Sequence, residues 1–230
     1  MNKLLLLSAA AALPLMMPTT AAVAGPAVMV QAKECTIIDG GPGFGTCTET
    51  HDQTGLAIKY IDEMTDLHPY VSIPPLHNFI FFGNEWFSNE GTTSASVSYW
   101  VDAIKPIRID HFVLWNEESS GIGEFNLWYG LFPGDKLDLV LAGISPPDNP
   151  LADYAPTYWE FAPRPGTGWW TLEMSGCPQP VPGSFAACAV GEVAWGGPAV
   201  PEPGTWAMLI AGFGLVGWAA RNRRRDFANA

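Results

Sequence analysis

The chain has 230 residues, with 23 acidic side chains against 11 lysines and arginines and a formal charge of −12 at neutral pH. That length allows one domain with a proper core. The charge excludes nucleic acid as a natural partner, because such a surface repels phosphate backbones.

At the start, Lys3 precedes an apolar region from Leu4 to Met17, and small residues follow at Ala22 and Ala24. A basic start, a short apolar core and small residues before a cut are the parts of a secretory signal peptide. Residues 1–24 therefore read as a leader for signal peptidase, and the exported segment begins near Gly25. Its strong bases are Lys33, Lys59, Lys105, Arg108, Lys136 and Arg164, against every acid of the chain except Asp226. Such a surface suits divalent cations or neutral sugars.

Residues 25–54 form an N-terminal segment holding Cys35 and Cys47; Cys177 and Cys188 make a second local pair. In an oxidising compartment these spacings favour two small disulfide loops, although four cysteines allow three connectivities. No Cys-x-x-Cys or neighbouring His accompanies either pair, which argues against zinc there. The stretch "GGPGFGT", Gly40 to Thr46, lacks the Lys, the following helix and the βαβ setting of a phosphate loop and reads as a tight turn.

Between residues 55 and 197, short alternating runs are separated by Gly, Pro, Asn and Asp, with no useful stretch of helical period. That pattern predicts an all-β sandwich. "SVSYWV" puts Val97, Tyr99 and Val101 on one face. "IRIDHFVLW" is a longer strand whose phase slips near His111, which predicts a bulge or burial on both sides. "EFNLWYG" alternates Phe125, Leu127 and Tyr129, and "LDLVLAG" follows a turn at Pro133 and Gly134. "GWWTLEM" points Trp170, Leu172 and Met174 one way, and "AVGEVAW" closes the domain with Val193 and Trp195. "SPPDNPLADYAP" reads as a long surface loop, and the Gly/Pro-rich residues 198–203 as a linker.

The chain ends "VPEPGTWAMLIAGFGLVGWAARNRRR" before a last short stretch. Pro201, Glu202 and Pro203 make a stiff, extended approach that lacks two backbone donors. The run from Trp206 to Ala220 carries no charge and spans about 23 Å as a helix, short of the roughly 20 residues usual for a bilayer. It stops at Arg221, Arg223, Arg224 and Arg225, a flank that stays cytoplasmic and whose stems can snorkel. These residues, 206–220, read as a transmembrane helix.

Pro201, Glu202, Pro203, Trp206, Ala207, the apolar span and the arginines together resemble the PEP-CTERM sorting signal in its PEPxxWA form, over residues 201–225. The resemblance implies an exported protein of a Gram-negative bacterium. Its membrane-held tail would be recognised and cut by an exosortase, a membrane cysteine transpeptidase, for delivery to the cell surface, envelope or extracellular matrix. A permanent C-terminal anchor is the alternative.

A second resemblance spans residues 55–197. "VSYWVDAIKPIRIDHFVLWNEESSGIGEFNLWYG", "GWWTLEM" and "GEVAW" are similar to discoidin (coagulation factor 5/8 type C) and galactose-binding-like domains. That likeness implies a jelly-roll β-sandwich. It also implies a structural calcium joining an early loop to a Glu in the last strand. "YIDEMTD" offers Asp62, Thr65 and Asp66, and "GEVAW" offers Glu192; hard oxygen ligands of this kind suit calcium. The family usually has Gly where this chain has Glu63, and plain surface acids are the alternative reading.

Catalytic signatures are missing: there is no His-Glu-x-x-His and no Gly-x-Ser-x-Gly. His51, His68 and His77 lie in loop-like sequence and His111 in a strand. Glu117 and Glu118 are adjacent and would face opposite ways on a strand, whereas glycoside hydrolysis needs two carboxyls flanking one bond; they read as a solvated loop. "FGNEWFSNEG" offers Asn84, Glu85, Trp86 and Asn89, an aromatic face beside hydrogen-bonding groups, as a glycan requires. Trp86 in the core is the competing reading. The expectation is a non-catalytic binding or structural module for exopolysaccharide or another glycan, with a carbohydrate-active enzyme as the competing class.

Overall fold

The structure, a computed structural model, describes residues 26–78, 83–104, 107–179, 185–198 and 209–216. Its strands form two antiparallel sheets. Sheet A runs β1 (Ala27–Val30), β10 (Ala189–Pro198), β5 (Arg108–Asn116) and β8 (Thr157–Pro165), with the two-residue β3 (Trp86–Phe87) pairing the other end of β10. Sheet B runs β2 (Ala32–Asp39), β4 (Ser94–Asp102), β9 (Thr167–Ser175), β6 (Glu124–Gly130) and β7 (Asp138–Ile144). The chain changes sheet at every step except the β6–β7 hairpin, and this alternation makes a jelly-roll sandwich.

The strands with the cleanest alternation meet in the main core. Val97, Tyr99 and Val101 of β4, Phe125 and Leu127 of β6, and Trp170, Leu172 and Met174 of β9 point inward from sheet B. Ile109, Phe112 and Leu114 of β5, with Val193 and Trp195 of β10, meet them from sheet A. A register shift between Ile109 and His111 accounts for the phase slip in β5. Beyond it, Val113 and Trp115 face outward and are still buried.

They are covered by a second apolar layer. Leu56, Tyr60, Tyr154 and the short helix α1 (Leu67–Ser72), through Leu67 and Tyr70, pack on the outer face of sheet A. Trp115 Nε1 donates to the Pro75 carbonyl at 2.7 Å, which satisfies its indole in this layer. At β5 and β10 sheet A is therefore covered on both faces, and these strands show no clean wet side, while edge strand β8 stays partly exposed.

Two segments differ from expectation. Residues 25–54 are not a separate preamble: β1 pairs with β10 and β2 with β4, so the sandwich begins at Ala27 rather than near Gly55. β8 pairs with β5 at the edge of sheet A, in a stretch where Pro163 and Pro165 mask the strand pattern.

Both local disulfides are present. Cys35–Cys47, with Cα atoms 6.0 Å apart, ties β2 to the 3-10 turn Cys47–Thr50, and Cys177–Cys188, at 5.0 Å, ties the end of β9 to the start of β10.

Ala22 and Ala24 of the leader lie outside the described residues, as do Pro201, Glu202, Pro203, Trp206, Ala207, Arg221, Arg223, Arg224 and Arg225. Of the expected span 206–220, residues 209–216 are described, and they are helical and exposed. Among the described residues no helix is long and apolar enough to cross a membrane.

Candidate functional site

The "NEWFS" residues do not form a glycan surface. Trp86 is fully buried in the main core, and its Nε1 donates to the Pro42 carbonyl at 3.0 Å. Glu85 is buried, and Asn84 is half-buried beside it. Asn89 braces the Gly-rich turn: its Oδ1 accepts from Gly43 N at 2.9 Å and its Nδ2 donates to Gly41 O at 2.7 Å. A tryptophan whose ring is enclosed offers no face to a sugar, so the core reading of Trp86 holds.

The four residues expected to ligate calcium are not drawn together either. Asp62 accepts from Gln31 N at 2.8 Å and pairs with Lys33. Thr65 Oγ1 accepts from Ile61 N at 2.8 Å, and Asp66 sits at the N-cap of α1, bridged through its backbone to Val28. Glu192 is sealed within β10, accepting from Gln53 N at 3.2 and 3.1 Å, and burial pushes its carboxyl well above the usual range. Asp62, Asp66 and Glu192 are not among the described groups whose ligand atoms come within 4.8 Å of one another.

Two groups do meet that distance: Glu85, Glu117 and Glu118, and His68, His111 and Glu160. The first overturns the solvated-loop reading of "WNEESSG". Glu117 and Glu118 are 1% and 4% exposed, because Asn116 folds the following turn inward. Asn116 Oδ1 accepts from Ile122 N at 2.8 Å and its Nδ2 donates to Gln179 Oε1 at 2.8 Å. Glu117 accepts from Ser119 N, Ser119 Oγ and Ser120 N. Glu85 accepts the Tyr154 hydroxyl at 2.5 Å, and His77, stacked on Tyr154, lies 3.4 Å from the same oxygen.

Burial, then the field of its acidic neighbours, pushes Glu117 up to about 7 and Glu118 up to about 9. As carboxylates the three could hold a hard cation; without one, the raised Glu118 keeps its proton at neutral pH and relieves part of the repulsion. All three are buried, whereas glycoside hydrolysis uses two carboxyls flanking a bond of the bound sugar.

Three partly exposed tryptophans lie elsewhere, on the outer face of sheet B. Strand register sets Trp100 of β4 opposite Trp169 of β9, and their rings lie 5.6 Å apart and tilted by 48°. One row along, Trp128 of β6 pairs with Thr171 of β9 and donates from Nε1 to Glu173 Oε2 at 3.0 Å. Asn126 approaches the same carboxylate, and Lys136 pairs with it at 2.5 Å while passing 5.9 Å from the Trp128 ring. The Lys136 ammonium, first among its causes, holds the Glu173 carboxyl below its ordinary value. All three tryptophans are half-buried, and Asn126, Glu173 and Lys136 adjoin Trp128. Ser98 and Thr171, in the row next to the Trp100–Trp169 pair, are covered by the turn after β6, where Gly134 N donates to Ser98 Oγ at 2.8 Å. The signal of the tryptophans is present in the sequence: each stands at the outward phase of a strand whose inward residues the alternation identifies.

Residues 199–225 match the PEP-CTERM protein-sorting motif. No curated protein matches the chain. Among solved structures, it is similar to chitosan-binding module 1 of a chitosanase/glucanase from Paenibacillus sp. IK-5, at 12% identity and a TM-score of 0.42, over 72% of this chain and 95% of that one. It is also similar to an F5/8 type C domain from Bacteroides fragilis, at 10% identity and a TM-score of 0.43, over 76% of this chain and 99% of that one.

Proposed function

We propose that the chain is an exported protein of a Gram-negative bacterium, freed of its leader by signal peptidase and sorted by an exosortase to the cell surface or matrix. There the sandwich acts as a non-catalytic module that binds a neutral glycan. The sorting half of this reading rests on the motif at residues 199–225. The binding half rests on one observation, the half-buried Trp100–Trp169 pair, with Trp128, Asn126 and Glu173 on the same sheet face.

A pyranose has a flat apolar side and a rim of hydroxyls. Exposed indole faces take the first, and adjacent amide, carboxylate and ammonium groups take the second. The excess of acid over base disfavours polyanionic polysaccharides and leaves neutral ones. Against catalysis stands the placement of Glu85, Glu117 and Glu118, which are closed off where a hydrolase needs them open. A glycan array, with release of reducing ends measured on every sugar retained, tests this directly. Binding without cleavage is expected, and turnover of a bound sugar would replace the module with an enzyme.

Processing has its own readout. Intact mass of cell-surface material should give a protein that starts near Gly25 and lacks the arginines from Arg221 to Arg225. A species that keeps them would establish a permanent anchor in place of sorting.

A further inference from the structure

We propose that His68, His111 and Glu160 form a binding site for a borderline divalent metal ion, zinc foremost, on the outer face of sheet A. Three separate elements supply the ligands. His111 follows the bulge in β5, which sets its side chain outward, and Glu160 of β8 is its direct cross-strand partner. His111 Nε2 lies 3.5 Å from Glu160 Oε1.

His68 arrives on α1, and a glycine permits that approach. A Cβ at Gly196 of β10 would lie 2.2 Å from Leu67 Cδ1 and 3.1 Å from His111 Cβ, so a larger residue there would have to displace the Leu67 side chain by which α1 packs. The two imidazoles then lie 5.3 Å apart at 77°, with Tyr158 flanking both. One ligand atom from each of the three residues lies within 4.8 Å of the others. Two atoms each held about 2.0–2.2 Å from one zinc fall within that span.

The decisive feature is Asp110. Its Oδ1 is 2.5 Å from His111 Nδ1, which makes Nδ1–H the donor and leaves the Nε2 lone pair free to face Glu160 and His68. Among the described residues Nε2 is buried and makes no hydrogen bond, with Glu160 Oε1 at 3.5 Å facing it. A carboxylate behind a ligating histidine is the arrangement that fixes tautomer and ring direction in zinc sites. Two imidazoles with one carboxylate select zinc-like ions over calcium or magnesium. His68 is exposed and the Glu160 side chain is 66% exposed, so the remaining coordination positions open to solvent, as in sites that keep a place for water or an incoming donor.

Competition from other nitrogen and sulfur donors is small. Of the four histidines, His51 and His77 are buried, and all four cysteines are in disulfides. The test is calorimetric titration of zinc chloride into the full chain, produced without an oligohistidine tag and stripped with chelator. One zinc per chain is expected. His68→Gln and Glu160→Gln alter exposed side chains that the fold does not need, and each should weaken binding at least about tenfold; Asp110→Asn should weaken it roughly 10–100-fold. Failure to bind stoichiometric zinc would overturn the site. So would unaltered affinity in His68→Gln and Glu160→Gln, or displacement of the zinc by equimolar calcium. In those cases His111 is simply an imidazole paired with Asp110 and Glu160.

Discussion

Raising the pH from about 5 to about 9 is expected to lower the melting temperature of the folded chain by roughly 10 °C, and Glu118→Gln to remove most of that loss. The folded protein keeps protons on Glu117 up to about 7 and on Glu118 up to about 9, whereas an unperturbed glutamate releases its proton near 4.5. Between those values the folded state holds more protons than the unfolded one, so stability declines as the pH rises. A tenfold difference in proton affinity between the two states corresponds to about 1.4 kcal/mol, and the cluster shares its protons, so the loss over this window is on the order of several kcal/mol. In a domain of this size each kcal/mol moves the midpoint by about 2–4 °C.

Other groups act over parts of the same range. Burial raises Glu192, which adds to the loss. Burial alone would lower His111, but Asp110 and Glu160 raise it, and it works the same way. His51, lowered by burial, opposes them. The Gln substitution isolates the cluster, because an amide fits where the protonated acid sits and cannot ionise. Thermal melts of both proteins across the window decide the matter: an unchanged slope in Glu118→Gln would remove the cluster from the explanation.

Replacing Cys177 and Cys188 together by alanine should cost more stability than replacing Cys35 and Cys47. Both loops are short, and in the chain-entropy model closing one of this size is worth on the order of 3 kcal/mol. The difference comes from burial. Cys177 and Cys188 are 3% and 0% exposed and belong to the main core, so their loss adds a cavity beneath β10. Cys35 and Cys47 are only partly buried at its margin. The expected gap is about 1–2 kcal/mol, read from urea midpoints. Equal midpoints, or a larger loss from the Cys35–Cys47 pair, would show that burial of Cys177 and Cys188 adds nothing beyond loop closure.

Legibility followed the alternation of apolar and polar residues. β4, β6 and β9 carry polar or tryptophan side chains on their outer phase, so their alternation revealed Val97, Phe125, Trp170 and their inward neighbours directly, even where the outward Ser98 and Thr171 are themselves covered. β1 was obscured by its all-apolar sequence next to the leader, and β2 by its mostly exposed residues. α1 is a six-residue helix with Pro69 in its first turn, too short to display a helical period. The sites were harder because they are non-local. Nothing in "NEESSG" announces that Glu85 and Tyr154 will close over Glu117, and only strand register places Trp100 against Trp169. The slip at His111 was readable, but its partners His68 and Glu160 come from elements without a clear pattern.

The measurement that bears most directly on the proposed function is a binding titration with a neutral oligosaccharide retained on the array. It would compare the unchanged chain with Trp100→Ala, Trp169→Ala and Asn84→Ala. Each tryptophan variant should bind about tenfold more weakly, some 1.4 kcal/mol for a lost aromatic face, with its melting temperature kept. Asn84→Ala, in the segment where the sequence suggested a sugar site, should bind like the unchanged chain. Full affinity in both tryptophan variants, or loss of binding in Asn84→Ala alone, would contradict a glycan surface on the outer face of sheet B.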